Sequence, residues 1–329
     1  MNKNRIFPSK LSREDEVRVL APARSLAIIS PSVRAIAQER LEAMGLRVSF
    51  SRNCEERDAF DSSSVKSRVD DIHEAFADKK VKAILTAIGG SNSIHLLKDL
   101  DYDLIRANPK ILCGYSDITT LQNAIFAKTG LINYSGPHFS TFGCLRGMEY
   151  VIDSFQKLLF HKKEEVILEP STSWSDDEWF LDQEKRKFIV NEGYVCINEG
   201  TSSGTVVGGN IGSFAVLQGT EYMPSLKDTV LFLEDNYPMT IDDVDRHIES
   251  LILQKDFQHV NGMVLGRFQV DSKIRIDLLR EVISSKKELR SMPVIAQADF
   301  GHTMPICTFP IGGEVHVESS SSKVKLVIT

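Results

Sequence analysis

The pattern of apolar and polar positions changes character near the middle of the chain. In the first half, short β-branched runs alternate with stretches of helical period. Residues 16–21 and 25–30 read as strands split by a proline-containing turn, and residues 46–50 read as the next strand. Residues 36–44 have helical spacing and stop at Gly45, which suits the position after a helix end. Val65, Val69, Ile72 and Phe76 mark one face of a helix over residues 65–77. Residues 81–88 form a buried strand that runs into Gly89-Gly90, with a helix near residues 94–100. Residues 110–114 are another strand, ending at Tyr115-Ser116; a helix over 117–128 and a strand over 131–134 follow. This alternation predicts a parallel sheet covered on both faces. Ligands of such sheets bind beyond the carboxyl ends of the strands, and two of those ends are Gly89-Gly90 and Tyr115-Ser116.

After about Tyr150 the pattern changes. Residues 171–180 are polar and acidic and hold both tryptophans, Trp174 and Trp179. Short strands are expected at 205–208, 229–233, 262–266, 294–298, 308–311, 314–317 and 324–328, interrupted by helices near 241–253 and 274–285. The expected division is an α/β domain over residues 1–165, a linker with a tryptophan-bearing loop over 166–190, and a second, β-rich domain over 191–329.

A chain of 329 residues, 42% hydrophobic and 26% charged, buries a sizeable core without disulfides or metals. Its net charge of -6 argues against a general nucleic-acid binder. The opening segment lacks an apolar h-region, and no run reaches the ~18 apolar residues that span a bilayer, so a cytoplasmic protein with no membrane partner is expected. The five cysteines are scattered and form no C-x-x-C pair, as expected of buried free thiols. There is no H-E-x-x-H, EF-hand or Cys/His cluster, so neither metal nor cofactor is expected; Asp242-Asp243-x-Asp245 reads as the acidic first turn of a helix.

Ser116, in Gly114-Tyr115-Ser116-Asp117, stands between an apolar strand and a helix, where a nucleophile elbow lifts a hydroxyl into a cleft. The usual elbow has glycine two residues after the serine, whereas this chain has Ile118, and a helix N-cap at Ser116 or Asp117 is the alternative. Gly89-Gly90-Ser91-Asn92 lets backbone N–H groups approach a ligand, as oxyanion donors or a phosphate cradle, although a tight turn needs the same glycines. Of eight histidines, His302 is set apart: it follows a buried strand in Phe300-Gly301-His302-Thr303, a loop corner at the mouth of a sheet. Glu234 ends the apolar run Val230-Leu231-Phe232-Leu233, where a carboxylate is costly unless paired; Asp235 is the neighbouring alternative and faces the other way.

With these residues assembled, the chain resembles the LD-carboxypeptidase family, serine peptidases that include the microcin C immunity proteins. The resemblance rests on Leu100-Asp101-Tyr102-Asp103 with Ile105, Asn108-Pro109-Lys110, Gly114-Tyr115-Ser116-Asp117-Ile118-Thr119, Lys128-Thr129-Gly130-Leu131 and Gly136-Pro137. Further matches are Pro8, Leu11, Asp15, Val17 and Ala21-Pro22, then Gly208-Gly209-Asn210, Leu231-Phe232-Leu233-Glu234-Asp235 and Gly301-His302, so nearly the whole chain is covered. Glu14 departs from the family's usual glycine, away from the site. The resemblance implies Ser116 as nucleophile, His302 as general base, Glu234 as the acid that orients it, and the N–H groups of Gly90 and Asp117 as the oxyanion hole. It also implies a flavodoxin-like N-terminal domain, a β-rich C-terminal domain and a homodimer. One branch trims D-alanine from a peptidoglycan tetrapeptide; the other cleaves the acyl–nitrogen link of a peptidyl or aminoacyl nucleotide. Trp174 and Trp179, in a loop similar to that of the immunity branch, favour the second branch as stacking platforms for a nucleobase, with a domain-interface role as the alternative. Gly89, Ser91, Trp174, Trp179 and Asn210 are thus the expected substrate contacts for a small-molecule substrate. An α/β-hydrolase esterase and a non-catalytic nucleotide or peptide binder are the competing readings.

Overall fold

The computed structural model describes residues 5–161 and 165–329; residues 1–4 of the opening segment and 162–164, inside the expected domain boundary, lie outside the described residues. The strands are β1 Glu16–Leu20, β2 Arg47–Phe50, β3 Val81–Thr86, β4 Ile111–Gly114, β5 Asn133–Ser135, β6 Val166–Ile167, β7 Ser173–Trp174, β8 Ile189–Val190, β9 Val195–Asn198, β10 Gly200–Asn210, β11 Thr229–Glu234, β12 Val260–Gly266, β13 Val294–Ala298, β14 Phe309–Ile311, β15 Glu314–Ser319 and β16 Val324–Ile328. The helices are α1 Pro31–Ala43, α2 Val65–Ala77, α3 Tyr102–Ala107, α4 Ile118–Thr129, α5 Glu149–Leu159, α6 Ile211–Ala215, α7 Ile241–Ile252 and α8 Ile276–Ser285.

The first sheet runs β14-β5-β4-β3-β1-β2. Its first five strands in sequence pair in parallel in the order β2-β1-β3-β4-β5, a flavodoxin-like arrangement, as expected. The order reverses between β1 and β3, so the crevice favoured for ligands opens where β1 leads into Ala21-Pro22 and β3 into Gly89-Gly90. The second sheet runs β6-β16-β15-β10-β11-β12-β13-β9. Its centre, β10 to β13, is parallel, and its flanks are antiparallel. Within the expected linker, β6 already pairs with β16, while β7 and β8 form a separate two-stranded ribbon.

Local chemistry explains where the elements differ from expectation. Residues 25–30 are no strand. Ser25 caps a 3₁₀ turn, Leu26–Ile28, by accepting from the Ala27 N–H, and Ser30 with Pro31 then starts α1 five residues before its apolar period begins. Two serine caps and a proline at the first helical position outweigh the β-branched content of the run. The helix expected near residues 94–100 shrinks to a 3₁₀ turn, Ser93–Leu96. The strand expected at 308–311 crosses to the first sheet, where β14 pairs antiparallel with β5.

Helix α4 has no exposed position, and polar side chains on it bond to the second half of the chain. Asn123 donates to the Gly208 carbonyl at 2.8 Å, Thr120 to the Ser213 carbonyl at 2.7 Å, and the Asn210 N–H donates to Thr119 Oγ1 at 2.9 Å. Its polar residues thus bind the end of β10 and the start of α6 rather than water. Both apolar clusters of the core draw residues from both sheets, for example Val17 with Phe232 and Phe309, and Ile84 with Leu231.

Candidate active site

Strand β4 is wholly buried and delivers the chain to Tyr115-Ser116 at the sheet's carboxyl end. Ser116 has φ +60°, in the left-handed region that costs a non-glycine residue about 1–2 kcal/mol. Such a sharp turn is the backbone geometry a nucleophile elbow needs. The capping alternative fails for Asp117, which makes no side-chain cap to α4. Its Oδ2 accepts instead from the Asn92 and Ser93 N–H groups at 3.0 and 2.9 Å, and Ser93 Oγ donates to the Asp117 carbonyl at 2.8 Å. Burial pushes the Asp117 carboxyl up, against the pull of its Ser93 and Asn92 hydrogen bonds and of the Arg68 charge. These bonds lock the elbow to the Gly89-Gly90 turn. A Cβ on Gly89 would lie 2.9 Å from Ser116 Cβ and 3.0 Å from its Oγ, so that position needs glycine. Among the described residues, the Gly90 and Asp117 N–H groups have no hydrogen-bond acceptor in the protein.

The second half supplies the partners. Glu234, buried at the end of β11, accepts through Oε2 from His302 Nδ1 at 2.8 Å. With that proton on Nδ1, Nε2 is left as an acceptor, and it lies 3.0 Å from Ser116 Oγ. Gly301 makes the approach possible: at φ +112° its missing Cβ would lie 2.6 Å from Glu234 Oε2. Asp235 faces the other way, as alternation predicts, and accepts from Asn210 Nδ2 at 2.8 Å, Gly212 N at 3.0 Å and Asn236 N at 2.8 Å. Burial pulls the His302 imidazole down, but the charge and hydrogen bond of Glu234, with the charge of Asp235, outweigh it and hold it above the ordinary histidine value.

A second histidine stands behind the elbow. His138 is buried, with Nδ1 2.6 Å from Thr86 Oγ1 and its ring centroid 4.3 Å from that of Tyr115. Burial, followed by the charge on His302, pulls its pKa down to about 3, so it stays neutral. Tyr115 also touches His302, with ring centroids 5.3 Å apart.

Tyr115 and His302 border a cleft of about 560 Å³, with Arg24 and Ile88 among its walls and Asp176, Trp179 and Phe180 contributed by the tryptophan-bearing segment. Of the expected substrate contacts, Trp179 lines this cleft and Gly89 lies buried against Ser116. The others are placed elsewhere. Trp174 lies under the Arg267 guanidinium, 4.8 Å from its ring centroid, and Arg267 is held by Asp299 in a buried ion pair at 3.0 Å. Asn210 is buried, committed to Asp235 and to capping α6. Ser91 is exposed past the turn and is not among the residues lining the cleft.

Arg24 and His138 were missed by the motif reading. Both follow carboxyl ends of sheet strands, Ala21-Pro22 after β1 and Gly136-Pro137 after β5, so the rule that singled out Gly89 and Ser116 points to them as well. Among the described residues, no group of three His, Cys, Asp or Glu side chains could hold a metal ion, and no helix is long and apolar enough to cross a membrane.

Comparison with known proteins agrees with this architecture. The family model of the LD-carboxypeptidase N-terminal domain matches residues 17–136, and that of the LD-carboxypeptidase C-terminal domain matches residues 203–317. A putative carboxypeptidase of Treponema pallidum is 52% identical over 307 residues, covering 93% of this chain and 90% of that protein. The microcin C7 self-immunity protein MccF of Escherichia coli is 31% identical over 302 residues, covering 88% of this chain and 86% of that protein. The crystal structure of an MccF-like protein from Bacillus anthracis superposes with a TM-score of 0.97 at 52% identity, covering 98% of this chain and 99% of that one. MccF in complex with aspartyl sulfamoyl adenosine superposes with a TM-score of 0.89 at 29% identity, covering 98% of each chain. The chain belongs to the LD-carboxypeptidase family of serine peptidases, in its MccF-like branch.

Proposed function

We propose that this protein cleaves the acyl–nitrogen bond of peptidyl or aminoacyl nucleotides, with Ser116 as nucleophile, His302 as general base and Glu234 as its orienting acid. The observation that carries the reading is the continuous line Glu234–His302–Ser116, at 2.8 and 3.0 Å, beside a cleft walled in part by Trp179. His302 Nε2 takes the hydroxyl proton as Ser116 Oγ bonds to the carbonyl carbon. The oxyanion is received by the free N–H groups of Gly90 and Asp117, a donor of this kind being worth about 3 kcal/mol of barrier. The C–N bond then breaks as His302 returns the proton to the leaving nitrogen, and water releases the acyl group as a carboxylic acid. The ligand named in the MccF complex, an aminoacyl nucleoside analogue, supports the nucleotide over other amides. The same resemblance leads us to expect a cytoplasmic homodimer.

Product analysis by mass spectrometry tests the proposal, with an aspartyl-adenylate amide and an L,D-linked muropeptide tetrapeptide offered in parallel. Cleavage of the nucleotide alone is the expected result. Release of D-alanine alone would instead make the protein a murein LD-carboxypeptidase. Ser116→Ala or His302→Ala should lower turnover by orders of magnitude with the fold intact, and near-normal turnover in either would refute the assignment.

A further inference from the structure

The segment between β1 and α1 is unusually well fixed for a loop. Arg68 donates to the Pro22 carbonyl at 3.1 Å and Ser62 Oγ to the Ala23 carbonyl at 2.6 Å. The Arg24 N–H donates to the Gly89 carbonyl at 3.2 Å, and the Ser25 N–H to the Asp61 carbonyl at 2.7 Å. Five of the six side chains over residues 21–26 are buried; Arg24 alone is exposed, and it opens into the cleft. Its stem passes over the glycine turn, for a Cβ on Gly90 would lie 3.2 Å from Arg24 Cγ. The side chain is therefore carried on a fixed backbone beside the Gly89-Gly90 turn, which adjoins Ser116.

Its charge has no partner among the described residues. Among the described residues, Arg24 makes no ion pair and no side-chain hydrogen bond, and it is the only lysine or arginine lining the cleft. Three acids stand in the tryptophan-bearing wall: Asp177 pairs with Arg186 at 2.9 Å, Asp176 accepts from the Val270 N–H and Gln269 Nε2 at 2.6 and 3.2 Å, and Glu178 is exposed, with no ion pair among the described residues. The cleft lining thus carries one cation, Arg24, besides the acids of the tryptophan-bearing wall, and Arg24 is the lining side chain that attracts an anionic group.

We infer that Arg24 is a specificity-determining residue whose guanidinium binds an anionic oxygen group, phosphoryl or carboxylate, carried by the substrate close to the scissile bond. The inference rests on the proposed acyl-transfer site for the position of that bond. A planar guanidinium with fixed forked donors suits either anion, and both candidate substrates carry one: the nucleotide a phosphoryl group, the tetrapeptide a terminal carboxylate.

Binding to the full-length Ser116→Ala protein, followed by calorimetry, tests this without requiring turnover. The probes are matched pairs, AMP against adenosine for the phosphoryl arm and L-alanyl-D-alanine against its C-terminal amide for the carboxylate arm. In at least one pair the anionic member should bind more tightly. Adding Arg24→Gln should weaken that member roughly 10- to 100-fold, the range of a charge-assisted hydrogen bond, and leave its neutral counterpart unchanged. Arg24→Lys should restore part of the loss. The responding pair identifies the anion. Equal affinity within both pairs, equal weakening of both members, or no binding by any probe would overturn the inference. Absence of turnover in the wild-type protein would count against the proposed reaction, while this binding comparison would still read out Arg24.

Discussion

Glu234→Gln separates orientation from charge at the candidate site. Glutamine keeps the shape of a side chain that is 3% exposed and bonded at 2.8 Å to His302. It removes the negative charge, and its amide can also donate to Nδ1. Donation there moves the imidazole proton to Nε2, which then cannot accept from Ser116. The lost charge-assisted bond corresponds to about 1.5–3 kcal/mol, or roughly 10- to 150-fold, and the wrong tautomer adds to it. A fall in kcat of about 10²- to 10⁴-fold is therefore expected. The pH profile carries independent information. His302 must be neutral to act as base, so activity rises with pH through its raised pKa. Without Glu234, burial is left as the main influence, and the acidic limb should move below the ordinary imidazole value of about 6.5. The stability sign is fixed by the same shift. The raised pKa stabilises the fold fully below the ordinary imidazole value, and that contribution is lost as pH rises through the raised one. The assay is kcat/KM across about pH 5–9, with circular dichroism to show that the fold survives. An acidic limb that stays in place, or near-normal kcat, would refute the reasoning.

Gly301→Ala should lower kcat at least ~10-fold, because its Cβ at φ +112° would lie 2.6 Å from Glu234 Oε2; unchanged kcat would show that the loop can yield without moving the acid. Trp179→Ala should raise KM for a nucleotide substrate by about 10-fold, the scale of one base–aromatic stack, with little change in Tm. Trp174→Ala should do the reverse, lowering stability by about 3 kcal/mol in chemical denaturation through lost packing and the lost Arg267 contact, with KM unchanged. His138, held neutral with a pKa pulled down to about 3, contributes stability that is present above the ordinary histidine value and lost as pH falls toward 3; His138→Phe should flatten the fall of Tm with acid over that range.

The legible parts of the sequence were those where one physical rule dominates. Buried strands ending at Gly89-Gly90 and Tyr115-Ser116 marked the carboxyl edge of the first sheet because uninterrupted apolar runs alternating with helical periods leave a parallel sheet as the main reading. The alternation rule also separated Glu234 from Asp235, which face opposite sides. Serine capping defeated the reading of residues 25–30, since a single hydroxyl on Ser25 or Ser30 decides the backbone path there while the β-branched content suggests a strand. The two tryptophans could not be told apart either. Both occur in one polar segment, and only the long-range Arg267–Asp299 pair, from two other strand ends, shows why Trp174 is drawn away while Trp179 borders the cleft. Phe309 and its neighbours looked like any strand of the second half, because nothing local records which sheet has a free edge.

That last strand bears on how the site is held together. Ser116 belongs to the first sheet and Glu234 to the second, so a rigid-body shift between them would break the relay. His302 sits on the crossover between β13, in the second sheet, and β14, in the first, so the connection that carries His302 is anchored in both. Phe232 of β11, Phe300 beside His302 and Phe309 of β14 pack against one another, with centroids 4.8 to 5.5 Å apart, joining the second sheet to the corner and end of that crossover. On the other side of Ser116, α4 is bound to β10 and α6 through Thr119, Thr120 and Asn123. Strand exchange, a shared apolar core and these polar clamps oppose any sliding of one sheet on the other. The relay therefore depends on the same contacts that stabilise the whole fold, and the two halves, despite their separate sheets, should unfold as one cooperative unit.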